Sequence, residues 1–189
     1  EVPAVATSIT VQVDLIRRPE LIELILMDGC INDVGLGRIL DPTYDEDMLV
    51  VLTEHFCDTE MGKLLRKVRG MAPQAAVVVT GYFPFVGPES DIFAIRIWDE
   101  ARDTQEQTDL TEEDAALLAA LSHRSELFID VAHASLRSVI DEVNSETAAS
   151  PQFVFADPGF GPQNAVFAPD AWLWGMTTES DWIDTLPVD

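Results

Sequence analysis

The chain has 189 residues, of which 34 are acidic and 11 basic, for a formal net charge of −23, and 47% of its residues are hydrophobic. That length and apolar content suit one domain with a sizeable core and exclude wholesale disorder. So few Lys and Arg exclude a nucleic-acid partner or an anionic membrane surface. No apolar run approaches the roughly 20 residues of a membrane span, so a soluble chain without a transmembrane segment is expected.

The chain opens at Glu1-Val2-Pro3-Ala4 without an initiator Met or the layout of a signal peptide, and the expectation is a piece of a longer protein. Residues 8–18 suit a helix stopped by Pro19. Leu21 to Met27 is a nearly continuous apolar run of strand length, closed by Asp28-Gly29; a strand buried on both faces of a parallel sheet reads this way. The polar turn Asp28-Gly29-Cys30-Ile31-Asn32-Asp33 follows. Residues 45–69 place Met48, Val51, Leu52, Phe56, Met61, Leu64, Leu65 and Val68 at helical spacing, with a break expected near Asp58.

Ala75 to Thr80, rich in β-branched residues, predicts a second strand, and Gly81 to Asp91 a loop punctuated by Pro84, Gly87 and Pro88. Thr111-Glu112-Glu113-Asp114 resembles a capping box. It opens a long helix ending near Asn144, whose buried face carries Leu127, Phe128, Val131, Leu136, Val139, Ile140 and Val143. Gln152 to Ala156 predicts a third strand before Asp157-Pro158-Gly159. Residues 22–28, 75–80 and 152–156 are therefore expected as neighbouring parallel strands of one α/β sheet, with sites forming beyond their carboxyl ends.

Cys30 and Cys57 match no zinc spacing. They are either a disulfide pair or two buried thiols, and the packing of the helix after the first strand back onto that strand favours the disulfide. His55, His123 and His133 fall on predicted helices as ordinary helix histidines, and Asp130 with His133 makes a common i, i+3 pair. Acid-rich stretches at 41–47 and 106–114 read as solvated surface without calcium-loop spacing. Gly35-Leu36-Gly37 alone is too little for a phosphate cradle. No metal and no cofactor are expected. The acidic, Lys-poor surface fits adaptation to high salt; the alternative is an acidic bacterial protein with no special salt history.

Asn32-Asp33-Val34-Gly35 after an apolar strand resembles the Asn-Asp block of the SGNH hydrolases, the GDSL-type esterases and lipases. Val77 to Pro84, Phe155 to Phe167, and Ala171-Trp172-Leu173-Trp174-Gly175 resemble later parts of a bacterial and fungal branch of that group. The resemblance runs from about Ala6 to Met176. It implies a flavodoxin-like three-layer α/β/α sandwich and carboxylic ester hydrolysis, with a small ester or lipid-like substrate. It implies that Asn32 donates to the oxyanion and that Ala6, where the family has Gly, offers a backbone N–H. Cys30 stands where the family has Gly two positions before the Asn.

The family's nucleophile lies in a Gly-Asp-Ser block, which does not occur here and is expected before residue 1. The late Asp-x-x-His block is absent from its place after the last strand. Residues 1–189 are accordingly read as a segment of a longer hydrolase domain, without its own Ser-His-Asp triad, secreted if the parent carries an upstream signal peptide. Tyr82, Phe83, Phe160, Trp172 and Trp174 either line the substrate crevice or pack as core beneath long loops. The rival reading is a degenerate, non-catalytic binding or interaction protein. Substrate chain length and oligomeric state are not legible.

Overall fold

A computed structural model describes residues 9–92, 95, 111–146, 153–166 and 168–171. Helix α1 (Ile9–Asp14) ends earlier than expected: Arg18 takes a φ of 59° and Pro19 starts a single 3-10 turn, Pro19–Leu21. Strand β1 (Leu24–Met27) leads into two one-turn helices, α2 (Ile31–Val34) and α3 (Leu36–Ile39). They are separated by Gly35 at a φ of 91°, a conformation that glycine adopts without steric cost.

Helix α4 (Glu46–Glu54) is capped by Asp45, whose carboxylate accepts the Met48 N–H at 2.9 Å. The break expected near Asp58 is instead a wide, π-type turn over His55–Glu60 that runs without interruption into α5 (Met61–Met71). Strand β2 is Ala76–Thr80. Helix α6 (Glu112–Ser145) is a single helix of 34 residues. Its capping box forms as expected: the Thr111 hydroxyl accepts the Asp114 N–H at 3.1 Å, and the Asp114 carboxylate accepts the Thr111 N–H at 2.9 Å. Strand β3 is Phe153–Ala156.

The three strands form one parallel sheet in the order β1-β2-β3. Registration sets Ile25, Val77 and Phe153 in one row and Met27, Val79 and Phe155 in the next. These rows share a face, because side chains alternate along a strand. Strands added in one direction through right-handed crossovers carry their helices on one face. Accordingly α4, the wide turn and α5 all pack on α6. Between helices and sheet lies the main core, with Leu65, Val68, Phe128, Leu136 and Val139 against Val77, Val79 and Phe153. Burying a side chain such as Phe128 contributes about 2–3 kcal/mol.

The opposite face corrects the expectation of strands buried on both sides. Leu24, Leu26 and Val154 alternate with the core residues and are 55%, 69% and 55% exposed. Among the described residues, helices cover one face only.

Arg124 of α6 is only 1% exposed. Its guanidinium donates to the carbonyls of Ile39 at 3.1 Å, Tyr44 at 2.8 Å and Arg38 at 2.9 Å. These include carbonyls left unpaired at the end of α3, so one buried cation pins that end and the following loop to the long helix. No helix among the described residues is long and apolar enough to cross a membrane.

Candidate functional site

The carboxyl ends of the parallel strands bring three segments to one edge: Gly29 to Asn32 after β1, Gly81 to Phe85 after β2, and Asp157 onward after β3. The first is the tightest. Cys30 takes a φ of 84°, which a residue with a Cβ rarely adopts. Cys30 is buried and joined by a disulfide to Cys57 on the wide turn, with a Cα–Cα distance of 5.0 Å. The wide turn is where a helix with an extra residue per turn redirects a side chain.

Tyr82 braces the same turn from below. Its hydroxyl donates to the Gly29 carbonyl and accepts the Ile31 N–H at 3.1 Å. Its ring lies 5.5 Å from that of Phe128, inside the core. Burial, the leading cause, pushes the phenol well above its ordinary pKa, so the hydroxyl stays protonated and able to donate. Asn32 stands exposed on the second position of α2, one residue after the Ile31 that Tyr82 holds. Its side-chain amide has no hydrogen-bond partner among the described residues. Ala6, expected beside it, lies outside the described residues.

At the end of β2, the Gly81 N–H donates to the Ala156 carbonyl at 2.8 Å and continues the ladder. His133 of α6 closes over this point. Its Nε2 accepts the Tyr82 N–H at 2.9 Å and lies 3.2 Å from the Tyr82 carbonyl. Its Nδ1 lies 3.8 Å from a carboxylate oxygen of Asp157, which Arg137 also meets at 2.8 Å. Rings and cation stack here: His133 meets Phe155 edge-on at 5.2 Å, and the Arg137 guanidinium lies 4.2 Å over the same ring. Gly81 permits the approach. A Cβ there would sit 2.5 Å from the His133 Nε2 and 2.8 Å from the Phe155 ring.

One expectation about these residues changes. Asp130 is exposed and does not meet His133, which turns toward the sheet because it shares the stripe of Leu136 and Ile140. That stripe was the available signal for its inward direction. Asp157 faces His133 and Arg137. With Nε2 held by the Tyr82 main chain, His133 has no nitrogen directed at a nucleophile. No serine hydroxyl among the described residues bonds a histidine. His55 pairs with Glu60 at 3.7 Å and His123 with Glu46 at 3.6 Å, both exposed on helices.

The aromatic residues divide. Tyr82 is a core residue whose hydroxyl is fully used. Phe83 is half-buried, with its ring 5.3 Å from Phe85 and 5.9 Å from Phe160, so it joins the loops after β2 and β3. Trp172 and Trp174 lie outside the described residues. Ser125 of α6 holds the β2 loop in place: its hydroxyl accepts the Phe85 N–H at 2.8 Å. The bond between Tyr82 and the Asn32 turn and the burial of Arg124 were missed from sequence, and no pattern marked either. Among the described residues no group of three or more His, Cys, Asp or Glu is placed to hold a metal ion. Comparison with protein-family models, curated proteins and solved structures finds no match to this chain.

Proposed function

We propose that the chain is part of an SGNH-type carboxylic ester hydrolase and supplies its oxyanion-side edge. The observation that carries this reading is the placement of Asn32. It is an exposed amide at the carboxyl end of a parallel strand, on a turn held by a disulfide and by a buried tyrosine. An amide N–H carried on a backbone held in this way can meet negative charge as it develops on an attacked ester carbonyl. The Ala6 backbone N–H is the second donor in this proposal. Phe83 and Phe160, with Trp172 and Trp174, form the acyl side, and the substrate is a small ester or a lipid-like ester.

The nucleophilic serine and its imidazole come from outside this chain, since the sequence holds no Gly-Asp-Ser block and His133 is committed to the Tyr82 main chain. The finer fold is a flavodoxin-like α/β/α sandwich. Support comes from the sheet face of Leu24, Leu26 and Val154, whose apolar character calls for a second helical layer.

The test is hydrolysis of short-chain nitrophenyl esters by the naturally encoded protein. Asn32→Ala is expected to lower kcat by roughly 10²–10³-fold with an unchanged urea midpoint. A fall in stability with kcat retained defeats the oxyanion role. The 189 residues alone are expected to turn over no faster than a heat-treated control. The occupied Nε2 of His133 favours a second reading, a non-catalytic binding protein of the same fold, and absence of ester turnover in the naturally encoded protein selects it.

A further inference from the structure

We infer that Tyr82 is a positioning residue: its buried hydroxyl sets the backbone of the Gly29–Asn32 turn and thereby aims the Asn32 amide. The inference rests on the hydrolase reading for what Asn32 does, and on geometry alone for what holds it. Ile31 is the first residue of α2. The N–H at that position of any helix has no acceptor within the helix. Here the Tyr82 hydroxyl accepts it at 3.1 Å. The same oxygen gives its own proton to the Gly29 carbonyl.

One atom thus grips the main chain on both sides of Cys30, the residue with the unfavourable φ. The tyrosine is itself anchored. Its N–H donates to His133 and its ring packs on Phe128, both on α6. The grip therefore ties the Asn32 turn to the longest helix through the end of the central strand. The disulfide constrains Cys30 through its side chain, and the Cys30 carbonyl accepts the Asp33 and Val34 N–H groups at 3.0 Å each. The tyrosine hydroxyl holds the N–H side of the same peptide plane, which the helix leaves without an acceptor, and the next residue is Asn32. A substrate-facing role for Tyr82 would require the hydroxyl to point outward; it points into the turn.

Amide hydrogen exchange by NMR on the 189-residue chain tests the grip without any need for activity. In the unaltered chain the Ile31 amide is expected to be protected at least about 100-fold more than the Asn32 amide, its neighbour in the same first turn. Equal exchange at the two positions overturns the inference. Tyr82→Phe keeps the ring and removes the oxygen. It is expected to lower Ile31 protection at least about tenfold, and the Asn32 backbone order parameter from about 0.85 toward 0.6, while Val77 and Val79 keep their protection. Unchanged Ile31 exchange, or an equal fall at Val77 and Val79, overturns it by showing no role or a merely structural one.

In an esterase assay of the naturally encoded protein, Tyr82→Phe is expected to lower kcat about tenfold at constant KM. It is expected to have no further effect in an Asn32→Ala background. Multiplying effects in the double variant overturn the positioning role. If the unaltered protein hydrolyses no ester, the hydrolase reading fails and the exchange data alone decide the inference.

Discussion

Cys30 carries opposing effects that can be separated by mutation. Its φ of 84° costs a residue with a Cβ about 1–2 kcal/mol relative to glycine. Its disulfide to Cys57 closes a loop with a sequence separation of 27, which by chain entropy contributes about 3–4 kcal/mol. Cys57→Ala removes the bridge and leaves the backbone cost, so it is expected to lose about 3–4 kcal/mol. In that background Cys30→Ala and Cys30→Gly are both free of cysteine and differ by one methyl group. At an ordinary helix position alanine is the more stable by about 0.5–1 kcal/mol. At Cys30 the order is expected to invert, with Gly ahead by about 1 kcal/mol.

For a chain of this size, with a urea slope of about 2 kcal/mol/M, the inversion appears as a midpoint higher by about 0.5 M for the Gly variant. Both variants lack thiols, so buffer redox state does not enter. An Ala variant equal to or more stable than the Gly variant refutes the reasoning. The turn would then not require the left-handed region.

Gly81→Ala should destabilise by about 1–3 kcal/mol through the clash with His133 and Phe155, and the loss should shrink in a His133→Ala background, measured by thermal melting. Arg124→Met should cost about 3–5 kcal/mol, because the carbonyls of Arg38, Ile39 and Tyr44 are left without their donor; a change below 1 kcal/mol would mean that water replaces the guanidinium. Hydrogen bonds from Arg66 hold the Glu146 carboxyl below its ordinary value of 4.5. A depressed carboxyl contributes stability above that value and loses it as pH falls through the folded one. The gap between the unaltered chain and Glu146→Gln should therefore be widest near pH 7, begin to close as pH falls below 4.5, and narrow in 1 M salt.

The strand positions were legible because continuous apolar runs such as Leu24 to Met27 and Val77 to Val79 are long enough for strands and too short for helices. The capping box at Thr111 was legible because its chemistry is local. Which face of the sheet the helices cover was not legible. Leu26 and Val79 look alike in sequence, and only the path of the crossovers decides that one is buried and the other exposed. Arg124 was hidden because its acceptors are main-chain atoms some 80 positions away, and a carbonyl carries no side-chain signature. At the candidate site, Asn32 stood out by residue type. What holds it did not: the φ of Cys30 and the direction of the Tyr82 hydroxyl belong to the assembled fold.

The match between strand order and chain order bears on how the protein is made. Among the three described strands none has to be inserted between two earlier ones, so each can settle beside its predecessor as it leaves the ribosome. The first pair, β1 and β2, is complete once Thr80 has emerged, but the partners that seal α5, Phe128, Leu136 and Val139, lie on α6. The roughly 65 residues between Thr80 and Ser145 take about 3–13 s to synthesise at about 5–20 residues per second. For those seconds the nascent chain presents the apolar side of α5 and both outer strand edges to its surroundings. Slow translation across this stretch lengthens that exposure, so codon usage between residues 81 and 145 should govern the yield of soluble protein more strongly than codon usage elsewhere in the gene.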